Sequence, residues 1–424
     1  MIDTFLNKLR LIIKDDTLRK KLLFVVFALI VFRLLAAIPI PGIDIVQLEN
    51  FFANNQFLGL LNIFSGGGLS NLSIVMLGVG PYITSSIIMQ LLTIMSPKLK
   101  ALYQEEGEAG QKKFSQYSRL ITIPLALIQG FSFYILLQRQ GIVADAGIFS
   151  TFTNVMVIAA GSILLMWVGE LISEFGIGNG VSLIIFAGIV ASLPTTISQL
   201  AFSFDIVQLP IYIGFILIGI LITAGVVVVT EAERPIPITY ARRVRGMKVY
   251  GGISTYLPIR VNQAGVIPII FALSILLFPQ MVFSFLANLN ISLISKVSSA
   301  VLSGLSNQLV YGAIYFLLVF LFTYFYTAVT FDPETISKNL QKSGAFIPGV
   351  RPGNMTSGYI AKILTRLTLV GASFLGVIAV LPLGMQAITG ITALSIGGTA
   401  LLIAVSVVLD LVKKIEAQIT MREY

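Results

Sequence analysis

The sequence predicts an all-α polytopic membrane protein with ten transmembrane helices in two inverted five-helix halves. Three observations predict it. Of 424 residues, 56% are hydrophobic and 11% charged, and the mean hydropathy is +0.93, a composition suited to hydrocarbon rather than water. Eight stretches of at least 19 residues hold no Asp, Glu, Lys or Arg. Finally, 25 of the 28 Lys and Arg fall in five segments that ten spans place on one face of the membrane.

The elements follow in order. Residues 1–21 carry six Lys and Arg and an apolar stripe of Phe5, Leu6, Leu9, Ile12 and Ile13. They read as a charged amphipathic segment rather than a cleavable signal peptide. The first span, 22–43, is interrupted only by Arg33. The run 50–97 opens with Asn54, Asn55, Gln56, Asn62, Ser65, Gly66, Gly67, Gly68, Ser70 and Asn71, too polar for lipid, so a re-entrant segment precedes a single second span. Runs 120–138, 146–169 and 175–204 supply the third to fifth spans. Gly176-Ile-Gly178-Asn-Gly180 lacks the GxGxxG spacing and a preceding strand, and reads as a tight turn before the fifth. Runs 206–230, 261–295 and 297–331 supply the sixth to eighth. The break Leu381-Pro382-Leu383-Gly384, followed by Thr389-Gly390, splits 367–409 into the ninth and tenth.

The basic segments are 1–21, 97–119, 231–262, 331–366 and 411–424, with Arg33, Arg139 and Lys296 outside them. Nine or eleven spans would strand a basic block on the wrong face, so both termini are expected in the cytoplasm. The halves are 22–200 and 210–410, joined by an outer hinge loop 201–209 and followed by a cytoplasmic tail, 411–424. An odd number of spans per half inverts the second half and places a pathway at the interface. No residue-level repeat accompanies this, and an asymmetric ten-helix bundle stays open.

Composition also excludes functions. Without His or Cys there is no Ser-His-Asp hydrolase, HExxH zinc site, haem His or thiolate metal site, and no metal or cofactor is expected. No GxxxxGK[ST] occurs, so any ATP hydrolysis belongs to a partner. Spans nearly free of ionisable groups disfavour an ion-coupled transporter. Arg33 reads as the main mid-span charge, either a functional site or a packing group with a carboxylate or backbone carbonyl partner; Glu170, Glu174 and Asp410 lie near span ends. An inverted-repeat transporter and a non-conducting scaffold or insertase component remain as rivals.

Several stretches, in order, resemble the SecY family of protein-conducting channel subunits of bacterial translocases. They are Ile38-Pro-Ile-Pro-Gly-Ile-Asp44, Asn62-Ile-Phe-Ser-Gly-Gly67, Gly80-Pro-Tyr-Ile83, Ser86-Ile-Ile-Met-Gln-Leu-Leu92, Gly176-Ile-Gly-Asn-Gly180, Leu257-Pro258 through Asn262, Ala264-Gly-Val-Ile-Pro268, and Lys342-Ser-Gly-Ala-Phe-Ile-Pro-Gly-Val-Arg-Pro-Gly353. The resemblance implies an hourglass pore in the bacterial plasma membrane, plugged from outside and opening sideways into lipid. It also implies SecE-like and SecG-like small subunits, a SecA-like ATPase or the ribosome as partner, and clients bearing signal sequences.

Matched to the family, the pore ring is Val79, Ile83, Val181, Ile185, Ile270 and Ile403. A channel for chains of any sequence needs a flexible aliphatic seal rather than fixed polar selectivity groups. The plug is 61–71: Leu61, Asn62, Ile63, Phe64, Ser65, Gly66, Gly67, Gly68, Leu69, Ser70 and Asn71. Its three consecutive glycines leave any short helix there marginal. Thr84, Gln129 and Asn262 match the lateral gate, and Gln90 shares a span with Thr84; polar groups between helices are expected to add reversible hydrogen bonds across it. Arg242, Arg243, Arg245, Lys248, Lys342 and Arg351 form a docking set for phosphate-rich RNA or an acidic motor surface. A single Lys248 after Met247 departs from family members with several Arg there.

Overall fold

The computed structural model describes residues 15–41, 62, 65–69, 71–104, 106–143, 147–202, 209–241, 243–245, 248–250, 254–287, 292–389 and 392–423. In order the elements are α1 (Asp16–Ala36), α2 (Gly80–Met95), α3 (Pro97–Gln104), α4 (Gly107–Arg139), α5 (Gly147–Phe175), α6 (Gly180–Phe202) and α7 (Leu209–Glu231). Then come β1 (Glu233–Tyr240), β2 (Arg243–Arg245), β3 (Lys248–Tyr250), β4 (Ser254–Arg260), α8 (Ile267–Ala287), α9 (Ser292–Ser306) and α10 (Gln308–Thr330). The chain ends with α11 (Pro333–Lys342), β5 (Ala345–Phe346), α12 (Asn354–Thr389) and α13 (Thr392–Glu423). Helices dominate because hydrocarbon offers no partner for an open backbone group. Among the described residues, five stretches, within α4, α5, α7, α10–α11 and α12, are long and apolar enough to cross a membrane, and α2, α6 and α8 hold shorter apolar stretches.

Caps set several starts. Asp15 accepts from the backbone N–H groups of Thr17 (3.0 Å) and Leu18 (3.4 Å) ahead of α1, Asn307 from Leu309 (3.0 Å) ahead of α10, and Asp332 from Glu334 (3.1 Å) ahead of α11. The turn before α6 forms as its glycines predict: Gly178 has φ +95°, and Ser173 Oγ accepts from the Gly180 N–H at 2.8 Å.

Leaving aside α3, α9 and α11, the helices fall into two groups with the same neighbour pattern. In the first, α2 packs on α4, α4 on α5, α5 on α6, and α1 on α5 and α6; in the second, α8 packs on α10, α10 on α12, α12 on α13, and α7 on α12 and α13. Shifting by five long helices maps one set onto the other, with the chain direction inverted. The groups meet along two seams, α8 against α2 and α4, and α13 against α6. Most of the hinge loop 201–209 lies outside the described residues.

Three expectations are corrected. Helix α12 runs through Pro382 and ends at Thr389, so the second break signal divides the ninth and tenth long helices. Losing one N–H is tolerated inside a packed bundle; one residue on, Gln308 Nε2 of α10 donates to the Leu383 carbonyl at 2.8 Å and ties the two helices together there. The run 297–331 holds the end of the separate helix α9 before α10 begins. Arg33 is not mid-span: it sits in the last turn of α1, where the helix dipole favours a cation.

The helical fold also carries short strands that the sequence reading did not place. In the basic segments 231–262 and 331–366, β1 is flanked by β4 and β5 in one antiparallel sheet, and β2 pairs with β3. Ile236, Ile259, Ile347, Ile360, Ile363 and Leu364 form a small core beneath the sheet. Helix α12 reaches it because 36 residues extend about 54 Å, well past a core of about 30 Å. Lys413 pairs with Glu231 at 2.8 Å, bringing α13's basic end to the foot of the sheet.

Candidate functional site

A cavity of about 1050 Å³ opens between the two groups of helices. Ile83 of α2, Val181 and Ile185 of α6, and Ile270 of α8 line it, so four of the six ring residues, drawn from both halves, share one space. Val79 and Ile403 do not line it; both lie fully buried in the same apolar core. Helix starts place these side chains. Ile83 N donates to Val79 O at 3.1 Å, the first bond of α2, and Val181 and Ile185 stand one turn apart at the start of α6.

The glycine-rich segment packs against this core. Ser65–Leu69 forms turns rather than a marginal helix, because Gly66 (φ +67°) and Gly67 (φ +82°) are left-handed, a conformation that favours glycine. Ser65, Gly66, Gly68 and Leu69 are buried. A methyl group on Gly66 would strike the Phe32 ring of α1, and one on Gly188 of α6 would overlap Gly66 itself, so glycine-on-glycine contact seats the segment. Ser65 Oγ accepts from Leu69 N (3.0 Å), Gly67 N donates to Asn62 O (2.8 Å), and Gly68 O accepts from Ser73 N (2.8 Å). Asn71 is exposed beside it, while Leu61, Ile63, Phe64 and Ser70 lie outside the described residues.

Thr84, Gln129 and Asn262 are buried on α2, on α4 and just before α8, the elements of the first seam. The expected bonds across it are absent among the described residues. Thr84 Oγ1 donates to its own helix at Gly80 O (3.0 Å), and Asn262 Nδ2 to Gly265 O (3.2 Å). Gln90 Oε1 and Asn262 Oδ1 are buried without a hydrogen-bond partner. A seam holding unsatisfied acceptors has polar contacts to gain when it parts.

A sequence model of the SecY family matches residues 73–412. The chain belongs to the SecY family. A curated relative, the protein translocase subunit SecY of Mycobacterium bovis, is 42% identical over 445 residues, covering 100% of this chain and 99% of the relative. Among solved structures, a protein-conducting channel aligns with a TM-score of 0.65 at 19% identity, covering 95% of this chain and 93% of its own. Sec61 in the canine ribosome-channel complex aligns at 0.63 and 18% identity, with the same coverages. At these identities the structures establish a shared fold.

In this chain the sheet brings the two basic segments together. Lys342 and Arg351 are exposed on either side of β5. Arg243, Arg245 and Lys248 lie in the β2–β3 ribbon, and Arg242 falls outside the described residues. Sequence reasoning singled out Gln90 and Glu170 but missed Tyr82, Ser86 and Arg119, which share the cavity's lining with them: Tyr82, Ser86 and Gln90 run four apart along α2, and Arg119 pairs with Glu170 at 2.6 Å, joining α4 to α5. The four-residue spacing was the available signal. Seat-forming Gly188 carried none.

Proposed function

We propose that this chain is the central subunit of a channel that passes unfolded secretory proteins across the bacterial plasma membrane and releases transmembrane segments laterally into lipid. The observation that carries the reading is the meeting of aliphatic side chains from both halves, Ile83, Val181, Ile185 and Ile270, in one cavity. Such a lining closes around any sequence without binding one, and excludes ions when empty. The glycine-seated segment is the plug, the seam of α8 against α2 and α4 is the lateral gate, and α6 against α13 is the hinge side.

Energy comes from a SecA-like ATPase or the ribosome docked on the basic sheet, and SecE-like and SecG-like subunits complete the complex. A photo-crosslinker replacing Ile185 or Ile270 is expected to capture a stalled secretory chain, whereas one replacing the outward-facing Leu221 is not. Equal capture at all three, or none at the ring, would reject a central path.

Both termini and the sheet are cytoplasmic in this reading. The native chain has no Cys, so Tyr256→Cys, exposed on β4, gives a clean reporter. It should react with an impermeant thiol reagent in inverted vesicles and not in intact cells; the opposite pattern would overturn the orientation.

A further inference from the structure

Arg33 is the one charged side chain within the first apolar run, and neither the ring nor the gate uses it. Among the described residues its guanidinium makes no ion pair, and Nη1 donates one hydrogen bond, 3.2 Å long, to the carbonyl oxygen of Gly66. Gly66 lies in the glycine turn seated on Phe32 and Gly188, and a methyl group on Gly67 would stand 3.3 Å from the same Nη1. The contact joins residues 33 apart, and so ties α1 to the segment rather than stabilising either alone.

We infer that Arg33 is a positioning residue that latches the glycine segment in its closed seat. The inference rests on the reading of that segment as a plug. The left-handed turn turns the Gly66 carbonyl toward α1, and a guanidinium offers a charged donor at that point. The bond is single and Arg33 is otherwise exposed, so the latch holds without locking. A competing role, a cation serving only the C-terminal dipole of α1, would act on fold stability and not on the seal.

The test measures single-channel openings of the purified complex in planar bilayers without client, for the parent, Arg33→Gln, Arg33→Lys and deletion of 61–71, alone and combined with Arg33→Gln. Arg33→Gln should raise the open probability about tenfold, the usual worth of one hydrogen bond to a charged group. Arg33→Lys should fall between, keeping the charge with a different reach. In the deletion background Arg33→Gln should add nothing, because the latch has lost its target. Silence of Arg33→Gln in the presence of a leaking deletion, or a leak that adds to the deletion's, overturns the latch and leaves the plug standing; a silent deletion overturns the plug and the latch with it. Should Arg33→Gln fail to assemble, thiol labelling of Leu69→Cys, a buried position, supplies the readout. Labelling should be faster with Arg33→Lys than with Arg33, and equal rates overturn the latch.

Discussion

Arg351→Glu is expected to abolish export while leaving the protein folded and in the membrane. The side chain stands on a turn whose backbone is fixed from several directions. Val350 N donates to Ile347 O (3.1 Å), Thr356 Oγ1 to Arg351 O (2.9 Å) and Ser337 Oγ to Gly353 O (2.7 Å). Gly349 (φ +80°) and Gly353 (φ +96°) provide the left-handed corners, and buried Ile347 anchors the turn to the core beneath the sheet. Exposed and making no ion pair with any described residue, the guanidinium is presented outward from a fixed backbone, so a docking partner has only the side chain to order.

Reversing such a charge replaces attraction with like-charge contact, worth several kcal/mol at a docked interface, so motor or ribosome binding should weaken on the order of a hundredfold. Nothing in the fold depends on the charge, so melting temperature and complex assembly should match the parent. The measurement pairs translocation into vesicles with partner binding. Normal export with unchanged binding would make this turn a solvated connector.

Much of the architecture was legible because hydrocarbon imposes a simple rule: charge-free runs become helices. The misreadings have particular causes. Pro382 is a helix breaker by local chemistry, but packing against the neighbouring helices outweighs the one lost bond and α12 continues to Thr389. The strands carry Pro235, Pro237 and Pro258, which are accommodated because β1 has a single neighbour where its two prolines fall, β5 pairing only at Thr239 and Tyr240, and Pro258 lies on the edge strand β4. Arg33 looked central because its run continues to residue 43, whereas α1 stops at Ala36 ahead of the Ile38-Pro39-Ile40-Pro41 stretch.

The ring was a different problem. Any one Val or Ile in an apolar span reads as packing, and only the resemblance picked out six; which of them share the cavity is decided by where α2, α6 and α8 begin. The gate's polar residues were visible, but their bonding was not, since Thr84 finds its acceptor one turn back in its own helix.

The other large effect concerns the seal. Ile270 and Ile185 are buried where the two halves meet, with Gly66 buried against Phe32 of α1 and Gly188 of α6. An apolar constriction excludes water and so bars ions. Ile270→Asn puts a hydrogen-bonding group into it and lets water enter, so brief ion-conducting openings are expected. Deleting 61–71, the proposed plug, takes away no helix of the wall, so the protein should still fold, with openings longer and more frequent. The decisive measurement is the ionic current of the purified complex in a planar bilayer without client. Silence for the parent together with stepwise openings for the 61–71 deletion is the predicted result; a deletion mutant as silent as the parent, while folded and assembled, would contradict the reading of this chain as a plugged channel.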